Sequence, residues 1–215
     1  MERKKPSVTV TTLVLVILHQ VGAIGLQLES SEALFQSLVP VNLMLTVAAL
    51  AWYHRIWNMS FGLWVFGVFW GGYLVELLGV KTGVIFGEYY YGDALGPKVA
   101  AIPPLMGMLW VMLAYIAGIV SQKTSSNLWL RVIVGSLIMV GLDLLIEPAA
   151  PRNDFWYFRG GVAPFLNYFA WFVIAALMQL GFHRLHQEKT NPLAYPVLLI
   201  QIGFFLSFLV VDMAF

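Results

Sequence analysis

The sequence contains no cysteine and few charged residues. Without cysteine it has no disulfide, no thiolate metal ligand and no cysteine nucleophile. Only 11% of the 215 residues are charged and 60% are hydrophobic, whereas a soluble domain carries roughly 25% charged residues. So few charges cannot cover a water-facing surface, and the surplus apolar surface must face lipid. The net charge of +1 argues against a nucleic-acid partner, which requires a clustered basic surface.

Histidines are also scarce, which excludes several classes of membrane enzyme. The chain has four, and only His19 lies inside a predicted helix, while His183 and His186 are interpreted as part of a solvated helix end. No paired-histidine motif is present, so neither a di-iron desaturase nor any other metal site is predicted. The last apolar run has no lysine for a retinal Schiff base, and the Asp-rich motifs of Mg²⁺-dependent membrane prenyltransferases are absent.

Seven apolar runs approach the ~20 residues that a helix needs to cross a bilayer. They predict an all-α polytopic membrane protein, in which residues 1–215 form a single transmembrane domain, one bundle of about seven helices. The first run is too long for a signal peptide and is interpreted as a retained helix. The predicted helices are 8–28, 33–53, 61–79, 101–120, 128–147, 164–182 and 193–215.

The distribution of lysine and arginine predicts the orientation, because these residues accumulate on the cytoplasmic side. Eight lie at the N-terminus and in alternate loops, and four lie in the intervening loops. We therefore expect a multi-pass protein of the cell (plasma) membrane with a cytoplasmic N-terminus. The eight are Arg3, Lys4, Lys5, Arg55, Lys123, Arg131, Arg184 and Lys189, and the four are Lys81, Lys98, Arg152 and Arg159.

Three acidic residues, Glu76, Asp143 and Glu147, fall inside predicted helices rather than in loops or at termini. Ionisable groups are costly in a membrane and mark functional sites. Asp143 and Glu147 are four residues apart and share a helix face, and all three acids lie near helix ends on one side. Two close carboxylates in a low-dielectric site cannot both ionise cheaply, so one forms a general acid beside a general base. A purely structural role, in which these acids bond to backbone groups or to loop cations, stays open.

Two longer predicted loops, 80–100 and 148–163, are rich in aromatic residues and open from these same helix ends. Aromatic walls can hold a polyene and stabilise a cation through ring faces, although an interfacial aromatic belt is the alternative. Five glycines between residues 79 and 96 indicate closely packed backbone that covers a cavity. The candidate substrate-binding residues are Tyr73, Tyr89, Tyr91, Trp110 and Trp156.

Two long motifs carry a family resemblance. The first is ELLGVKTGVIFGEYYY at 76–91, continuing to LGPK at 95–98 and Ile102-Pro103. The second is DLLIEP at 143–148, followed by Phe155-Trp156. Over roughly residues 61–182, the chain resembles the membrane carotenoid 1,2-hydratase family, which includes hydratases that act on gamma-carotene and on bisanhydrobacterioruberin.

The resemblance implies carotenoid biosynthesis by addition of water to the terminal 1,2 double bond of an acyclic carotenoid end group, without a cofactor. The implied partners are an acyclic or monocyclic carotenoid substrate, membrane lipid and other carotenoid-pathway enzymes. The chemistry and the depth of the acids predict Asp143 or Glu147 as the proton donor, with Glu76 orienting water or sharing the proton. The alternatives are a lycopene cyclase, a non-catalytic carotenoid-binding protein and a proton-coupled transporter.

Overall fold

The computed structural model describes residues 7–186 and 189–214, with side chains up to residue 210. Seven helices dominate these described ranges, which confirms the all-α prediction. They are α1 (Val8–Gln27), α2 (Glu32–Tyr53), α3 (Met59–Thr82), α4 (Leu105–Ser121), α5 (Leu128–Ile146), α6 (Phe165–Arg184) and α7 (Ala194–Ala214). Arg3, Lys4 and Lys5, which enter the predicted orientation, and Phe215, the predicted end of the last helix, lie outside the described residues.

Five of the helices in the described ranges, α1, α2, α3, α5 and α6, are long and apolar enough to cross a bilayer. Two further apolar segments are shorter, namely α4 and Ala194–Val210 of α7. Large apolar side chains lie on the surface of the bundle, among them Ile24 at 59% and Leu177 at 67% exposure. Such a surface is stable against lipid rather than water, so the chain is a membrane protein.

The centre of the bundle is α4, which is apolar on every side, as a fully buried helix must be. Thirteen of its 17 residues are buried, and it packs against α2, α3, α5, α6 and α7. In contrast, α1 packs against α2 and α7, and only five residues of α1 and three of α2 are buried. The bundle therefore has a compact body and a more exposed flank formed by α1 and α2.

The start of α4 differs from the prediction. The helix begins at Leu105 rather than at residue 101, with Pro104 as its N-cap. The predicted span 101–120 would place Pro103 and Pro104 in the first turn of this helix, which is wrong, because both prolines precede it. The physical reason is a separate tight turn, in which the backbone groups of Val99 and Ile102 are hydrogen-bonded to each other. Because residues 99–102 form this turn, the helix cannot begin before Pro103.

Two other helices run further than predicted. α3 extends to Thr82, where Gly83, in the left-handed conformation with φ of 67°, ends it through a backbone bond to Gly79, a common glycine termination. α6 extends to Arg184 and therefore includes His183, which is buried with its Nε2 3.0 Å from the Ser121 hydroxyl. The expectation that His183 belongs to a solvated end is wrong, because a neighbouring helix covers it.

The two aromatic loops pair through a short sheet that the sequence analysis did not predict. β1 (Tyr89–Tyr91) runs antiparallel to β2 (Trp156–Phe158), with Tyr91 opposite Trp156. Successive strand side chains point to opposite faces, so Tyr89 and Tyr91 are buried while the tyrosine between them is exposed. The paired loops cover the end of the bundle at which α3 and α5 terminate, which we call the site end.

Candidate active site

Three carboxyl groups converge on one small cavity at the site end, which we call the acid cavity. Glu76 of α3, Asp143 of α5 and Glu147, which follows α5, all line this space of about 20 Å³. A single water needs roughly 10–15 Å³ measured in this way, so the acid cavity has the size of one water. Glu76 is 3% exposed and Asp143 is 0% exposed. Three acids predicted to lie at a common depth therefore meet at one place.

The Glu76 carboxylate accepts three hydrogen bonds from aromatic side chains. Tyr89 and Tyr91 donate their hydroxyls to Oε2 at 2.5 and 2.7 Å, and the Trp110 indole donates to Oε1 at 2.9 Å. Burial and the adjacent Glu76 carboxylate raise the pKa of both tyrosine hydroxyls above its usual value, so both remain donors. Because both carboxylate oxygens are bonded, Glu76 has a fixed position and a fixed orientation.

Trp110 reaches Glu76 because α3 carries a glycine one turn before the acid. A Cβ at Gly72 would lie 2.6 Å from the Trp110 ring, so only glycine leaves room for the indole. Gly72 and Glu76 are four residues apart and share a helix face. The other face of Trp110 stacks on Trp171 of α6, with ring centroids 3.9 Å apart. The packing of three helices thus sets the direction of the indole N–H.

Asp143 and Glu147 share one donor, the side-chain amide of Asn167 on α6. Its Nδ2 lies 2.9 Å from Asp143 Oδ2 and 3.4 Å from Glu147 Oε1. The Trp156 indole nitrogen lies 3.3 Å from both oxygens of Glu147. Asp143 Oδ1 is buried and has no hydrogen-bond partner within the described residues. Buried polar atoms normally have partners, so this oxygen is a place for a proton or a bound ligand.

The donors that contact the three acids are uncharged side chains of tyrosine, tryptophan and asparagine. In a purely structural role these acids would bond to loop cations. Arg159, one of those cations, instead pairs with Glu88 at 3.0 Å. Among the described residues, no group of three His, Asp or Glu side chains is arranged to hold a metal ion. The arrangement is suited to proton transfer, since it brings several carboxyl oxygens to a space for one water.

The predicted substrate-binding residues fall into two groups. Tyr89, Tyr91 and Trp156 line the acid cavity. Trp110 does not line it but donates a hydrogen bond to Glu76. Tyr73 donates its hydroxyl to the carbonyl oxygen of Val99 at 2.7 Å and so holds the turn that precedes α4. Tyr73 does not line the acid cavity, and substrate binding by this residue stays a prediction.

Several residues of the acid cavity were missed by sequence reasoning. Among them, Asn167 could have been identified from the sequence, because it is a polar residue inside an otherwise apolar run, where such residues tend to be functional. The others are apolar or aromatic residues in segments of the same character, so nothing in the chain distinguishes them. The missed residues are Phe86, Met106, Phe158, Asn167 and Trp171.

Comparison with known proteins agrees with the motif resemblance. A family model described as carotenoid biosynthesis protein matches residues 35–215, which is most of the chain. The chain belongs to the carotenoid biosynthesis protein family. Its function therefore lies in carotenoid biosynthesis, and the matched range includes every residue that lines the acid cavity.

A curated relative of this carotenoid biosynthesis protein is the bisanhydrobacterioruberin hydratase of Haloarcula japonica. The two are 31% identical over 127 residues, which covers 52% of this chain and 42% of the relative. The match therefore spans less than half of the relative's length. No solved structure matches the chain.

Proposed function

We propose that this carotenoid biosynthesis protein adds water across the terminal 1,2 double bond of an acyclic carotenoid end group, forming a tertiary alcohol. The observation that carries the proposal is the water-sized cavity lined by Glu76, Asp143 and Glu147. Hydration requires a proton donor, a stabilised cation and a positioned water with a base, and this cavity offers groups for each. The hydratase relative supports the same reaction class.

Asp143 is the proposed proton donor. Asn167 holds its Oδ2, and its Oδ1 is buried without a hydrogen-bond partner among the described residues. A neutral carboxyl group fits this surrounding better than a charged one, because no cation or second donor from the described part of the chain contacts Asp143 to compensate a buried charge. Transfer of its proton to C2 forms a C–H bond and leaves a tertiary cation at C1.

Aromatic faces and negative charge stabilise this cation. Trp156, Phe158 and Trp171 line the acid cavity, and ring faces attract cations. The carboxylate of Glu76, held by three donors, adds a fixed negative charge. Because all of these groups are in place before the reaction, little reorganisation accompanies formation of the cation.

Glu147 is the proposed base. Its hydrogen bonds, at 3.3 and 3.4 Å, are longer than the 2.5 Å bond from Tyr89 to Glu76, so Glu147 is freer to accept a proton. The water oxygen bonds to C1, and the released proton passes to Glu147. It then returns to Asp143, one helical turn away, so that the net change is the addition of one water. No redox cofactor is required by this balance.

Expression of the chain in bacteria that make lycopene, and in a second strain that makes gamma-carotene, tests the proposal. We expect a pigment heavier by one water with unchanged polyene absorption, detected by chromatography with mass spectrometry. The Asp143→Asn variant, of matched size, should give no new pigment. A product of unchanged mass and shifted spectrum would identify a lycopene cyclase instead, and unchanged pigment that co-purifies with the protein would identify a carotenoid-binding protein.

We also propose that the chain is a single bundle whose seven helices all cross the plasma membrane, with the N-terminus in the cytoplasm. The 17 residues of α4 fall within the range of about 17–25 for a spanning helix, and the bias in basic residues supports the orientation. A reporter fused to the C-terminus should give an external signal, since seven crossings separate the two termini. A cytoplasmic signal would contradict this topology.

A further inference from the structure

A second and much larger cavity lies where α1, α2 and α7 meet, and we call it the flank cavity. Its volume of about 340 Å³ is within the range of roughly 300–1,000 Å³ for ligand pockets. Its lining is apolar apart from His19, Asn42 and Gln201. This composition suits a ligand that is mostly hydrocarbon.

Two of these polar side chains bond to each other rather than face the cavity as free donors. His19 Nδ1 lies 2.8 Å from the carbonyl oxygen of Leu15 and therefore donates, since a carbonyl only accepts. His19 Nε2 in turn accepts from Gln201 Nε2 at 3.1 Å. The side-chain oxygen of Asn42 is buried and has no hydrogen-bond partner among the described residues. Apart from this amide, the wall offers little to a polar ligand, whose own groups would stay unpaired there.

The flank cavity adjoins the acid cavity through one side chain. Trp156 lines both, and its indole nitrogen lies 3.3 Å from the oxygens of Glu147. Phe155 and Ile146, the chain neighbours of Trp156 and Glu147, also line the flank cavity. A single aromatic ring therefore separates an apolar chamber from three carboxyl groups.

The flank cavity is partly open, and its wall on α1 and α2 includes exposed residues. Its wall residues Leu18, Val21 and Leu45 are also 39%, 50% and 48% exposed at the surface of the bundle. Nearer the site end the two helices close, because Phe35 of α2 packs directly over Gly25 of α1. A hydrocarbon dissolved in the bilayer reaches such an opening without leaving an apolar medium.

We infer that the flank cavity holds the polyene chain of the substrate, with the end group directed past Trp156 to Asp143 and Glu147. The inference rests on the proposed function for the identity of the end group. Between His19 and Leu26, both in the wall, α1 rises about 10 Å at 1.5 Å per residue, so the chamber extends along this helix for at least that distance. The polyene enters from the lipid and leaves the carboxyl groups to act on its tip.

One glycine makes this assignment testable. Gly22 lies in the cavity wall, and a Cβ added there meets only Phe204, at 3.9 Å. Gly22→Phe therefore fills the flank cavity without a backbone clash. Gly67→Phe is the matched control, because Gly67 lies on an exposed face of α3 with nothing within 4 Å of an added Cβ. Each change is combined with Asp143→Asn, so that bound polyene is not converted.

The measurement is a titration of purified protein in lipid nanodiscs with lycopene, followed by quenching of tryptophan fluorescence. We expect the Gly22→Phe protein to bind about tenfold or more weakly than the Gly67→Phe protein. Thermal melting shows whether each variant is folded. The smaller Gly22→Leu change should also weaken lycopene binding. If Gly22→Phe does not fold, the affinity of Gly22→Leu tests the inference instead. Equal affinities in folded proteins would overturn the inference and leave the flank cavity to lipid.

The same glycine variants, made in the chain with its acids intact, separate this inference from the proposed function. Formation of hydrated pigment that falls with Gly22→Phe and not with Gly67→Phe supports both. Equal hydration by the two variants overturns the cavity assignment and leaves the reaction standing. Binding that depends on Gly22 without any hydrated product overturns the reaction and leaves the flank cavity as a polyene site.

Discussion

The acid cavity and the flank cavity are neighbours with opposite character. The acid cavity, about 20 Å³, gathers three carboxyl groups and their donors, whereas the flank cavity, about 340 Å³, is almost entirely apolar. Buried polar groups are costly unless they are hydrogen-bonded, so they concentrate where neighbouring helices and loops supply donors. The proposed proton chemistry and the proposed polyene site thus occupy separate spaces, with Trp156 lining both.

The two cavities also differ in which part of the chain builds them. All of the acid-cavity lining lies within residues 35–215, the range matched by the family model, whereas part of the flank cavity comes from α1, which precedes that range. Substitutions in the acid cavity should therefore change the reaction, and substitutions in the flank cavity should change which molecule is held.

The largest effect is expected from Asp143→Asn, because the amide keeps the size of the side chain but cannot deliver a proton to C2. Hydration should fall by ~10²–10⁴-fold, measured as product per amount of membrane protein. Lycopene binding should change by less than about twofold, since Asp143 does not line the flank cavity. Full activity in this variant would show that another group supplies the proton.

Glu76→Gln should lower hydration by about 100-fold, within the range of a positioned acid or base. A carboxamide offers one acceptor oxygen, so either Trp110 or the tyrosine pair would face an NH₂ group instead of an acceptor. Product analysis against Glu88→Gln provides the control, because Glu88 is an exposed loop residue paired with Arg159. An equal loss in both variants would assign the effect to the loops rather than to the acid cavity.

Tyr89→Phe should have a smaller effect, because it removes one of the three donors to Glu76. A hydrogen bond to a charged group contributes ~1.5–3 kcal/mol, which corresponds to a loss of activity of about 10–100-fold. Tyr90→Phe is the matched control, since the Tyr90 side chain is on the opposite, exposed face of β1. Initial rates that are equal in the two variants would exclude a role for the Tyr89 hydroxyl in the reaction.

Tyr73→Phe should affect stability more than activity. Loss of the bond to Val99 should lower the free energy of unfolding by roughly 0.5–1.5 kcal/mol, observed as a lower melting temperature, with activity within about twofold. This outcome would mark Tyr73 as a residue that supports the turn before α4. A tenfold rise in KM for the carotenoid would instead support the sequence prediction that Tyr73 binds substrate.

The smallest effect is expected from alkaline pH. Burial and the neighbouring Glu76 raise the pKa of Tyr89 and Tyr91 above the ordinary value of 10.0. The protonated donors persist below the raised pKa and are lost only as pH rises through it, so the rate should show no fall from tyrosine ionisation up to pH 10. A fall near pH 9 that Tyr89→Phe abolishes would contradict this arrangement.

Much of the fold could be predicted because each helix corresponds to a long apolar run in the sequence. Six of the helices differ from their predicted ends by no more than three residues, and the exception, α4, starts late because residues 99–102 form a separate turn. The acids were recognisable because charge is rare in such runs. The pairing of β1 with β2 was not, because three-residue strands in aromatic loops have no periodic pattern of their own.

The sequence by itself determined a helical membrane protein of the carotenoid biosynthesis family with three acids near one end, since polarity and motif spacing are properties of the linear chain. Only the tertiary structure decided that Asn167 bridges Asp143 and Glu147, that two tyrosines and Trp110 bind Glu76, and that the flank cavity ends at Trp156. These contacts join helices and loops far apart in the chain. They depend on how side chains of similar hydrophobicity pack, which their order in the sequence does not specify.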